Sequence, residues 1–410
     1  MSQYKSELLR LLDERGHIHQ VTDPVALDAL ACREVVTSYV GFDPTAPSLH
    51  VGNLASIMLL RRVQQAGHRP IVIMGGGTAK VGDPSGKDDV RKLLTDEQLK
   101  ANIASIKGSF EKILSFDASA TGALLIDNDE WLSQLGYIEL LRDVGRHFTI
   151  NRMLTFDSVK RRLDREQPLT FLEFNYMILQ AYDFLKLSRD HGCRLQLGGS
   201  DQWGNIVNGI ELGRRIDGSE LYGVTAPLIT TADGKKMGKS VSGAVWLNDD
   251  QLPAWDFWQY WRNVDDRDVG RFLRLFTDLP LEEVTRLEAL DGSEINQAKI
   301  VLANEVTKMV RGEDAARTAE ATAAATFAGG GLGEDLPVLE VSSEGVRLGQ
   351  ACTEVGFTAS NGEAKRKIAE GAVRIDDEAV IDPGFLVTVA SGTERKLSLG
   401  RKRHAILRGS

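Results

Sequence analysis

The chain is poor in cysteine and has no long apolar run. Its 410 residues include three cysteines, Cys32, Cys193 and Cys352, which lie far apart and match no metal-ligand spacing. We expect them to be reduced structural thiols, as in cytoplasmic proteins. The lack of an apolar run of about 18 residues argues against a membrane span. The amphipathic segment 1–7 also lacks the apolar core of a signal peptide.

Negative charge predominates, but it is unevenly distributed. The net charge of −9 argues against indiscriminate binding of nucleic acid. Residues 341–410, however, carry eleven Lys or Arg against nine Asp or Glu, so this end of the chain is basic while the remainder is acidic. A locally basic end on an acidic body favours a selective contact with a polyanion.

Hydrophobic patterns predict strands that alternate with helices. Residues 35–42 are rich in β-branched and aromatic side chains, which predicts a buried strand, and 71–74 predict a second strand. Between them, apolar residues recur at helical spacing over 54–63. Strand, helix and strand in succession form a βαβ unit. The same order returns with a strand at 194–197 and a helix at 205–216.

These patterns predict an α/β protein with four parts. In chain order, they are a doubly wound, Rossmann-like parallel-sheet domain (1–230), a lysine-rich loop with an α-helical domain (231–326), a glycine-rich linker (327–339) and a small α+β domain (340–410). The second part includes one helical stretch predicted to run from residue 295 to 326. A doubly wound sheet binds its ligands outside the carboxyl ends of its strands.

The segment His50-Val51-Gly52-Asn53 stands where a predicted helix begins. A helix N-terminus presents unpaired N–H groups and a partial positive charge, which suit phosphate. Gly52 would allow a nucleotide to approach the backbone, and His50 could donate to a phosphate oxygen as negative charge develops. The alternative is that His50 merely caps a turn.

A second candidate phosphate-binding element is rich in lysine. Lys235, Lys236 and Lys239 lie around two glycines, Gly234 and Gly238. Such a loop can close over pyrophosphate and neutralise it, although lysine-rich loops are more often simply solvated. The glycine-rich segment 75–88 lacks the Walker pattern G-x-x-x-x-G-K-[ST], which disfavours a P-loop ATPase.

Longer segments identify a family. YVGFDPTAPSLHVGN (39–53), VGDPSGK (81–87) and LGGSDQWGN (197–205) occur in this order, together with LQAYDFL (179–185) and DDRDV (265–269). With these segments the chain closely resembles the bacterial tyrosyl-tRNA synthetases, class I aminoacyl-tRNA synthetases with a C-terminal S4-like domain. The resemblance covers nearly the whole chain.

The resemblance implies a binding pocket for L-tyrosine. The implied tyrosine-binding residues are Tyr39, Asp83, Tyr176, Gln180, Asp183 and Gln202. The phenol hydroxyl would lie between Tyr39 and Asp183, since a buried hydroxyl needs partners. Helical spacing places Tyr176, Gln180 and Asp183 on one face, which agrees with this role. The alternatives are a core tyrosine at 39 and a purely structural polar face.

The resemblance also implies an ATP site. The implied ATP-binding residues are Gly41, Asp43, His50, Gly52, Asn53, Gly199, Asp201 and Lys239. The implied catalytic residues, which would stabilise the γ-phosphate side and close around pyrophosphate, are Thr45, His50, Lys87, Arg91, Lys236 and Lys239. Magnesium would be held mainly by the phosphates, with no structural metal. The chain departs from the class pattern at Asn53, where histidine is usual, and at Gly238, where serine is usual; Val40 replaces a cysteine found in some relatives.

Residues 341–410 resemble the S4-type RNA-binding module. The implied contacts with tRNA phosphates are Lys365, Arg366, Lys367 and Arg374. The alternative is that this basic cluster is only solvated surface. As a family member, the chain would be a cytoplasmic homodimer that binds tyrosine, ATP and tRNA(Tyr), without a membrane association.

Two other kinds of protein could share these patterns. The first is an enzyme of the same fold with another substrate, such as a tryptophanyl-tRNA synthetase or a small-molecule nucleotidylyltransferase. Tyr39 together with Asp183 disfavours both. The second is a non-catalytic RNA-binding relative, which would be expected to have lost Lys236, Lys239 or Asp201, and this sequence retains all three.

Overall fold

The computed structural model describes residues 2–84, 94–234, 237–240, 243–328, 336–400 and 403–410. These residues form two compact units. The first comprises Met1–Gly238, Trp246–Gln251 and Val264–Ala298, and the second comprises Lys239–Val245, Leu252–Asn263 and Lys299–Ser410. The four-part division of the chain remains a prediction.

The first unit is built on a mostly parallel sheet. Its strands are β1 (Gln20–Val21), β2 (Thr37–Phe42), β3 (Arg69–Met74), β4 (Leu124–Asp127), β5 (Cys193–Gly199) and β6 (Tyr222–Ala226). Their order across the sheet is β1-β6-β5-β2-β3-β4. Every neighbouring pair is parallel except β1 with β6, which is antiparallel. The α/β fold with a parallel sheet is therefore confirmed.

The strand order locates the ligand-binding edge of this sheet. From β2 the chain moves outwards in one direction to β3 and β4, whereas β5 and β6 extend the sheet in the other direction. The switch point therefore lies between β2 and β5, whose carboxyl ends are Phe42 and Gly199. Open α/β sheets bind their ligands in the crevice at such a point.

Helices connect the strands and make up most of the rest of the chain. In chain order they are α1 (Glu7–Glu14), α2 (Pro24–Arg33), α3 (Val51–Gln65), α4 (Asp96–Glu111), α5 (Asp129–Leu132), α6 (Tyr137–Glu139), α7 (Ile150–Met153), α8 (Asp157–Asp164), α9 (Phe171–His191), α10 (Trp203–Asp217), α11 (Ala254–Arg262), α12 (Val269–Phe276), α13 (Leu281–Glu288), α14 (Ile295–Arg311), α15 (Glu313–Ala328), α16 (Leu348–Glu354) and α17 (Asn361–Ala369). Short 3-10 turns lie at Thr78–Lys80, Gly145–His147, Ser200–Gln202 and Asp266–Asp268, and a π-helical turn lies at Leu140–Val144. No helix among the described residues is long and apolar enough to cross a membrane.

The prediction of one continuous helical stretch over 295–326 was wrong. It consists of two helices, α14 and α15, which are separated at Gly312. Gly312 has a φ of +96°, a conformation that side chains other than glycine rarely adopt. The glycine therefore ends one helix and allows the next to begin.

The second unit ends in a small α+β module. Its remaining strands, after the short antiparallel pair β7 (Lys239–Ser240) and β8 (Gly243–Ala244), are β9 (Val338–Val341), β10 (Val346–Arg347), β11 (Val373–Ile375), β12 (Glu378–Ala379), β13 (Leu386–Val387), β14 (Glu394–Leu399) and β15 (Arg403–Gly409). One sheet has the order β12-β11-β14-β15-β9, and β10 pairs with β13. A cluster of buried side chains between Val341 and Leu407 forms the core of this module. The first two residues of β9 fall within the range predicted as a linker.

A buried ion pair stabilises the first unit. Arg62 on α3 is fully buried, and its Nη1 donates to Asp278 Oδ1 at 2.5 Å. Its Nη2 donates to the Thr277 carbonyl at 2.6 Å. Burial alone would raise the pKa of Asp278, but Arg61 and Arg62 more than offset this and hold that pKa well below its usual range. The carboxylate thus compensates the charge of a guanidinium that water does not reach.

Asp278→Ala is expected to lower the free energy of unfolding of the first unit by about 3 kcal/mol, because it leaves Arg62 buried and unpaired. Urea unfolding followed by tryptophan fluorescence measures this change. The matched control is Asp249→Ala, which removes an exposed pair with Lys112 at 3.4 Å and should change stability by less than about 1 kcal/mol. Equal stability of the two variants would contradict the role assigned to Asp278.

Candidate active site

The two central strands bring several of the predicted residues to one edge of the sheet. Tyr39 lies on β2, next to Gln196 of β5 and Ile71 of β3. Asp43 follows the end of β2, and Asp201 lies in the 3-10 turn that follows β5. The candidate site therefore lies at the switch point of the sheet, where ligands of this fold class bind.

Helix α9 supplies the second wall of the site. Thr170 caps its N-terminus in a capping box with Glu173, an arrangement that satisfies otherwise unpaired backbone N–H groups. Tyr176, Gln180 and Asp183 lie three or four residues apart, so they share one face of this helix. Apolar neighbours in the sequence, including Met177, Ile178 and Leu185, pack into a separate buried cluster. The helix is thus fixed by its apolar residues while its polar residues are available for binding.

A buried hydroxyl and a buried carboxylate lie in this region. The Tyr39 side chain is 2% exposed, and its ring packs edge-on against Phe184 with 5.2 Å between centroids. Its hydroxyl has no hydrogen-bond partner within the described part of the chain. Burial raises the pKa of Tyr39 well above its usual value, and the negative charge of Asp183 adds to this effect. An unsatisfied buried hydroxyl costs free energy, so the arrangement suits a ligand with a polar group at this point.

The carboxylate of Asp183 is held by two donors that the sequence patterns did not reveal. Asn128 Nδ2 donates to Oδ2 and Trp131 Nε1 donates to Oδ1, each at 2.8 Å. Burial raises the pKa of Asp183 to about 7; the two hydrogen bonds oppose this rise, and the nearby charges of Asp43 and Asp127 add to it. A ligand with a donor group could add a third hydrogen bond to this carboxylate.

Asn128 connects Asp183 to the end of β2. It is 1% exposed, and its Nδ2 also lies 3.1 Å from the Thr78 hydroxyl, to which it donates. The Thr78 hydroxyl in turn donates to Asp43 Oδ1 at 2.9 Å. Tyr176 donates to the other oxygen of Asp43 at 3.3 Å. A continuous chain of hydrogen bonds therefore fixes the orientation of the two carboxylates.

A second group of polar side chains contains the other predicted tyrosine-binding residues. Gln202 Nε2 donates to Asp83 Oδ2 at 2.9 Å, and Gln180 Nε2 donates to Gln202 Oε1 at 3.3 Å. Asn205, which was not predicted, donates to both glutamine oxygens at 3.0 and 3.1 Å. The structure thus brings Asp83, Gln180 and Gln202 together, and Tyr176 contacts Asp43. A carboxylate with amide oxygens beside it can receive an ammonium group.

His50 is the N-cap of α3, as the sequence suggested. Its Nδ1 accepts from the Gly52 N–H at 3.0 Å, so the neutral ring carries its proton on Nε2. The Asn53 Oδ1 accepts from the His50 N–H at 3.1 Å and completes a capping box. A Cβ at position 52 would lie 2.8 Å from His50 Cε1 and 2.9 Å from the Met237 carbonyl oxygen, so only glycine fits there. Because Nδ1 is the acceptor of the cap, Nε2 is the ring nitrogen that carries the donor hydrogen.

The remaining predicted ATP-site residues lie partly within and partly outside the described residues. Gly41 and Thr45 are exposed, and a Cβ at position 41 would meet open space. A Cβ at Gly199 would lie 2.6 Å from Asp201 Oδ1, which places glycine and carboxylate side by side. The predictions for Lys87, Arg91 and Lys236 lie outside the described residues, and Lys239 is described only as part of the backbone of β7. Within the described ranges, no three His, Cys, Asp or Glu side chains form a group that could hold a metal ion.

The predicted RNA-binding residues lie in the terminal module. Lys365 and Arg366 are exposed on α17, where Lys367 also donates to Glu370 at 2.8 Å. Arg374 is exposed on β11, the strand that follows this helix. Three of the four side chains are thus exposed, and Lys367 forms an ion pair at the surface.

Comparisons with known proteins agree with the site. The family model described as tRNA synthetases class I (W and Y) matches residues 32–328. The tyrosine–tRNA ligase of Novosphingobium aromaticivorans is 66% identical over 408 residues, with both chains covered completely, and that of Zymomonas mobilis is 59% identical over 99% of each chain. A C-terminally truncated mitochondrial tyrosyl-tRNA synthetase from Aspergillus nidulans superposes with a TM-score of 0.71 at 30% identity, over 79% of this chain and 95% of that one. By both family match and full-length similarity, the chain belongs to the class I tRNA synthetases (W and Y), and within them to the tyrosine–tRNA ligases.

Proposed function

We propose that this enzyme activates L-tyrosine with ATP and then transfers the tyrosyl group to the 3′-terminal adenosine of tRNA(Tyr). The names of the full-length relatives support this activity. The observation that carries the substrate assignment is the buried hydroxyl of Tyr39, which has no hydrogen-bond partner among the described residues and lies in the same region as the Asp183 carboxylate. A para-hydroxyl on the substrate would donate to Asp183 and accept from Tyr39, which satisfies both groups.

In the first step, a tyrosine carboxylate oxygen attacks the α-phosphorus of ATP in line. The bond from that phosphorus to the bridging oxygen breaks, so that tyrosyl-adenylate forms and pyrophosphate leaves. His50, which can donate through Nε2, and Thr45 would stabilise the charge on the departing phosphates. Lys87, Arg91, Lys236 and Lys239 would neutralise pyrophosphate, and Mg²⁺, held mainly by the phosphates, would add positive charge there. No residue need act as a covalent nucleophile; positioning and electrostatic stabilisation carry the step.

In the second step, a hydroxyl of the terminal ribose of tRNA attacks the carbonyl carbon of the adenylate. The bond from that carbon to the phosphate oxygen breaks, AMP leaves, and the hydroxyl proton passes to the departing phosphate. Gln202 would contact the carbonyl oxygen, and Asp201 with Gly199 would hold the ribose of the adenylate. Lys365, Arg366, Lys367 and Arg374 would contact phosphates of the tRNA, which fixes its position more than its sequence. We infer that the enzyme acts in the cytoplasm, because its full-length relatives are bacterial tyrosine–tRNA ligases.

The direct test is tyrosine-dependent exchange of labelled pyrophosphate into ATP by the purified protein. Exchange with tyrosine and not with tryptophan is expected. Exchange that depends on tryptophan instead would overturn the substrate assignment. Absence of exchange with any amino acid would favour a non-catalytic RNA-binding protein.

The affinity for tyrosine should depend on pH. The pKa of Asp183 is raised to about 7, so the carboxylate accepts a hydrogen bond above pH 7 and is protonated below it. If only the ionised form binds the phenol hydroxyl, the dissociation constant of tyrosine rises about tenfold between pH 8 and pH 6 and changes little at higher pH. Equilibrium dialysis with labelled tyrosine measures this profile. Asp183→Asn should bind weakly at every pH, whereas a flat profile for the unmodified enzyme would contradict the assignment.

We also propose that the enzyme is a homodimer. Large apolar side chains are exposed in one segment of the chain, namely Tyr137, Ile138, Leu141, Ile150, Leu154, Leu163, Phe171 and Leu172. Soluble monomers rarely expose so many apolar side chains together unless they form an interface. A two-fold dimer would use the same surface on both subunits.

Phe171→Asp is expected to convert the dimer to a monomer at micromolar concentration, because it places a charge in the apolar interface. Size-exclusion chromatography with light scattering gives the mass. Phe116→Asp is the matched control: this phenylalanine is also exposed but lies outside the segment, so its variant should stay dimeric. Identical masses for the two variants would place the interface elsewhere.

A further inference from the structure

A cleft of about 310 Å³ opens in the first unit, outside the site described above. Six residues that line it are Arg15, Ile229, Arg271, Arg274, Leu275 and Glu288. The volume is at the lower end of the range for small-molecule pockets. None of these residues has been assigned to tyrosine, ATP or tRNA. The combination of arginines with apolar side chains indicates a ligand that has both an anionic and an apolar part.

Two of the three arginines are neutralised by carboxylates of the protein. Arg274 Nε donates to Glu288 Oε1 at 2.8 Å, and Arg271 Nη2 donates to Asp268 Oδ1 at 2.6 Å. Arg15 differs from both. Among the described residues, Arg15 forms no ion pair, and its hydrogen bonds go to main-chain carbonyls. The cleft therefore has one guanidinium in excess.

Arg15 is a buried cation that the protein compensates incompletely. The residue is only 6% exposed. Its Nη1 and Nη2 donate to the carbonyls of Arg274, Thr277 and Leu279, while its Nε–H has no acceptor in the described part of the chain. Burial lowers the pKa of Arg15, and the negative charge of Asp278, whose carboxylate also accepts from Arg61 and Arg62, only partly opposes this. A buried cation that is compensated only in part is costly, so an anion in the cleft would be bound favourably.

We propose that this cleft binds a small organic anion. Its carboxylate or phosphate group contacts Arg15, and its apolar part packs against Ile229 and Leu275. The excess positive charge of Arg15 also attracts the anion electrostatically before it binds. The bound ligand is thus held by one charged contact and by apolar contacts.

The position of the cleft allows a bound ligand to influence the ATP site through the protein. The Ile229 carbonyl accepts from the Met237 N–H at 3.0 Å, and Arg271 donates to the Thr230 carbonyl. Asp268, the partner of Arg271, also accepts from the Ala232 N–H at 2.7 Å. These contacts hold the segment that leads into the lysine-rich loop. A ligand that rearranges Arg271 or Ile229 therefore changes the rate of pyrophosphate exchange. This effect on exchange rests on the proposed function, whereas the binding of the anion does not depend on it.

Isothermal titration calorimetry with hexanoate and hexyl phosphate tests the binding, in the presence of excess tyrosine and with neutral hexanamide as the control ligand. At least one anion should bind about tenfold or more tightly than hexanamide, and Arg15→Gln should weaken it by about tenfold or more. The stronger of the two anions identifies the head group. Arg10→Gln is the matched control, because Arg10 is exposed on α1 and pairs with Glu7 at the surface. Equal binding of hexanamide, or unchanged binding to Arg15→Gln, overturns the proposal.

A second variant keeps the test decisive if Arg15→Gln does not fold. Ile229→Trp fills the cleft and leaves the hydrogen bonds of Arg15 in place, so anion binding should be lost while the circular dichroism spectrum is unchanged. Retained binding in this variant overturns the proposal. Exchange measured without added anion reports on the proposed function separately. Hexanoate binding with no effect on exchange would overturn the link to the lysine-rich loop.

Discussion

Asp183→Ala is expected to lower kcat/KM for tyrosine in pyrophosphate exchange by about 1000-fold or more, which corresponds to about 4 kcal/mol. The substitution removes a charged hydrogen-bond acceptor and leaves Asn128 Nδ2 and Trp131 Nε1, which donate to it at 2.8 Å, without their partner. A hydrogen bond to a charged group contributes about 1.5–3 kcal/mol, and each buried donor left unsatisfied costs about 1–3 kcal/mol. The bound phenol hydroxyl would lose its acceptor as well.

Two further variants separate this role from a general loss of structure. Asp190→Ala is the control on the same helix. Asp190 is on the surface and pairs with Lys186 at 2.8 Å, so this variant should leave exchange unchanged. Asp183→Asn keeps the side-chain volume but turns an amide N–H₂ group towards Asn128 or Trp131, both of which are donors; it should therefore also lose activity. Preference for tyrosine over phenylalanine should fall in both Asp183 variants. Near-normal exchange by Asp183→Ala would refute the phenol assignment.

The local patterns of the sequence predicted the elements that carry the site. The apolar strand at 35–42 appears as β2, beginning at Thr37, and the helical spacing over 54–63 appears within α3. Both depend on periodicity along a short segment, which is visible in the sequence. The polar face of α9 could be anticipated for the same reason. The interruption at Gly312 could not, because a single glycine within a helical pattern costs only about 1 kcal/mol and is often tolerated.

The contacts that orient Asp183 could not be predicted, because they join distant parts of the chain. Asn128 and Trp131 precede Asp183 by 55 and 52 residues. Nothing in the local pattern around them indicates a shared site. Their proximity follows from the strand order β2-β3-β4, which brings the segment after β4 to the same edge of the sheet as Asp43. Only a three-dimensional arrangement of strands could have identified them.

Removal of residues 336–410 is expected to separate the two steps of the reaction. The cut is placed before β9, because Val338–Val341 pairs in parallel with β15 and belongs to the terminal module. Tyrosine-dependent exchange should change less than about threefold, since the core of the module is formed by its own side chains between Val341 and Leu407. Aminoacylation should fall about 100-fold in kcat/KM for tRNA, equivalent to about 2.7 kcal/mol, because contacts with phosphates are lost.

Charge variants of the full chain distinguish loss of RNA contacts from loss of folding. Lys365→Gln combined with Arg366→Gln removes two exposed cations of α17 and should weaken aminoacylation without affecting exchange. The salt dependence of tRNA binding should become less steep, because fewer counterions are released. Arg317→Gln is the matched control, since Arg317 is an exposed arginine on α15 paired with Asp314 at 2.8 Å. If the truncated enzyme loses exchange as fully as aminoacylation, the module supports folding of the catalytic unit and its basic residues are not the reason for its presence.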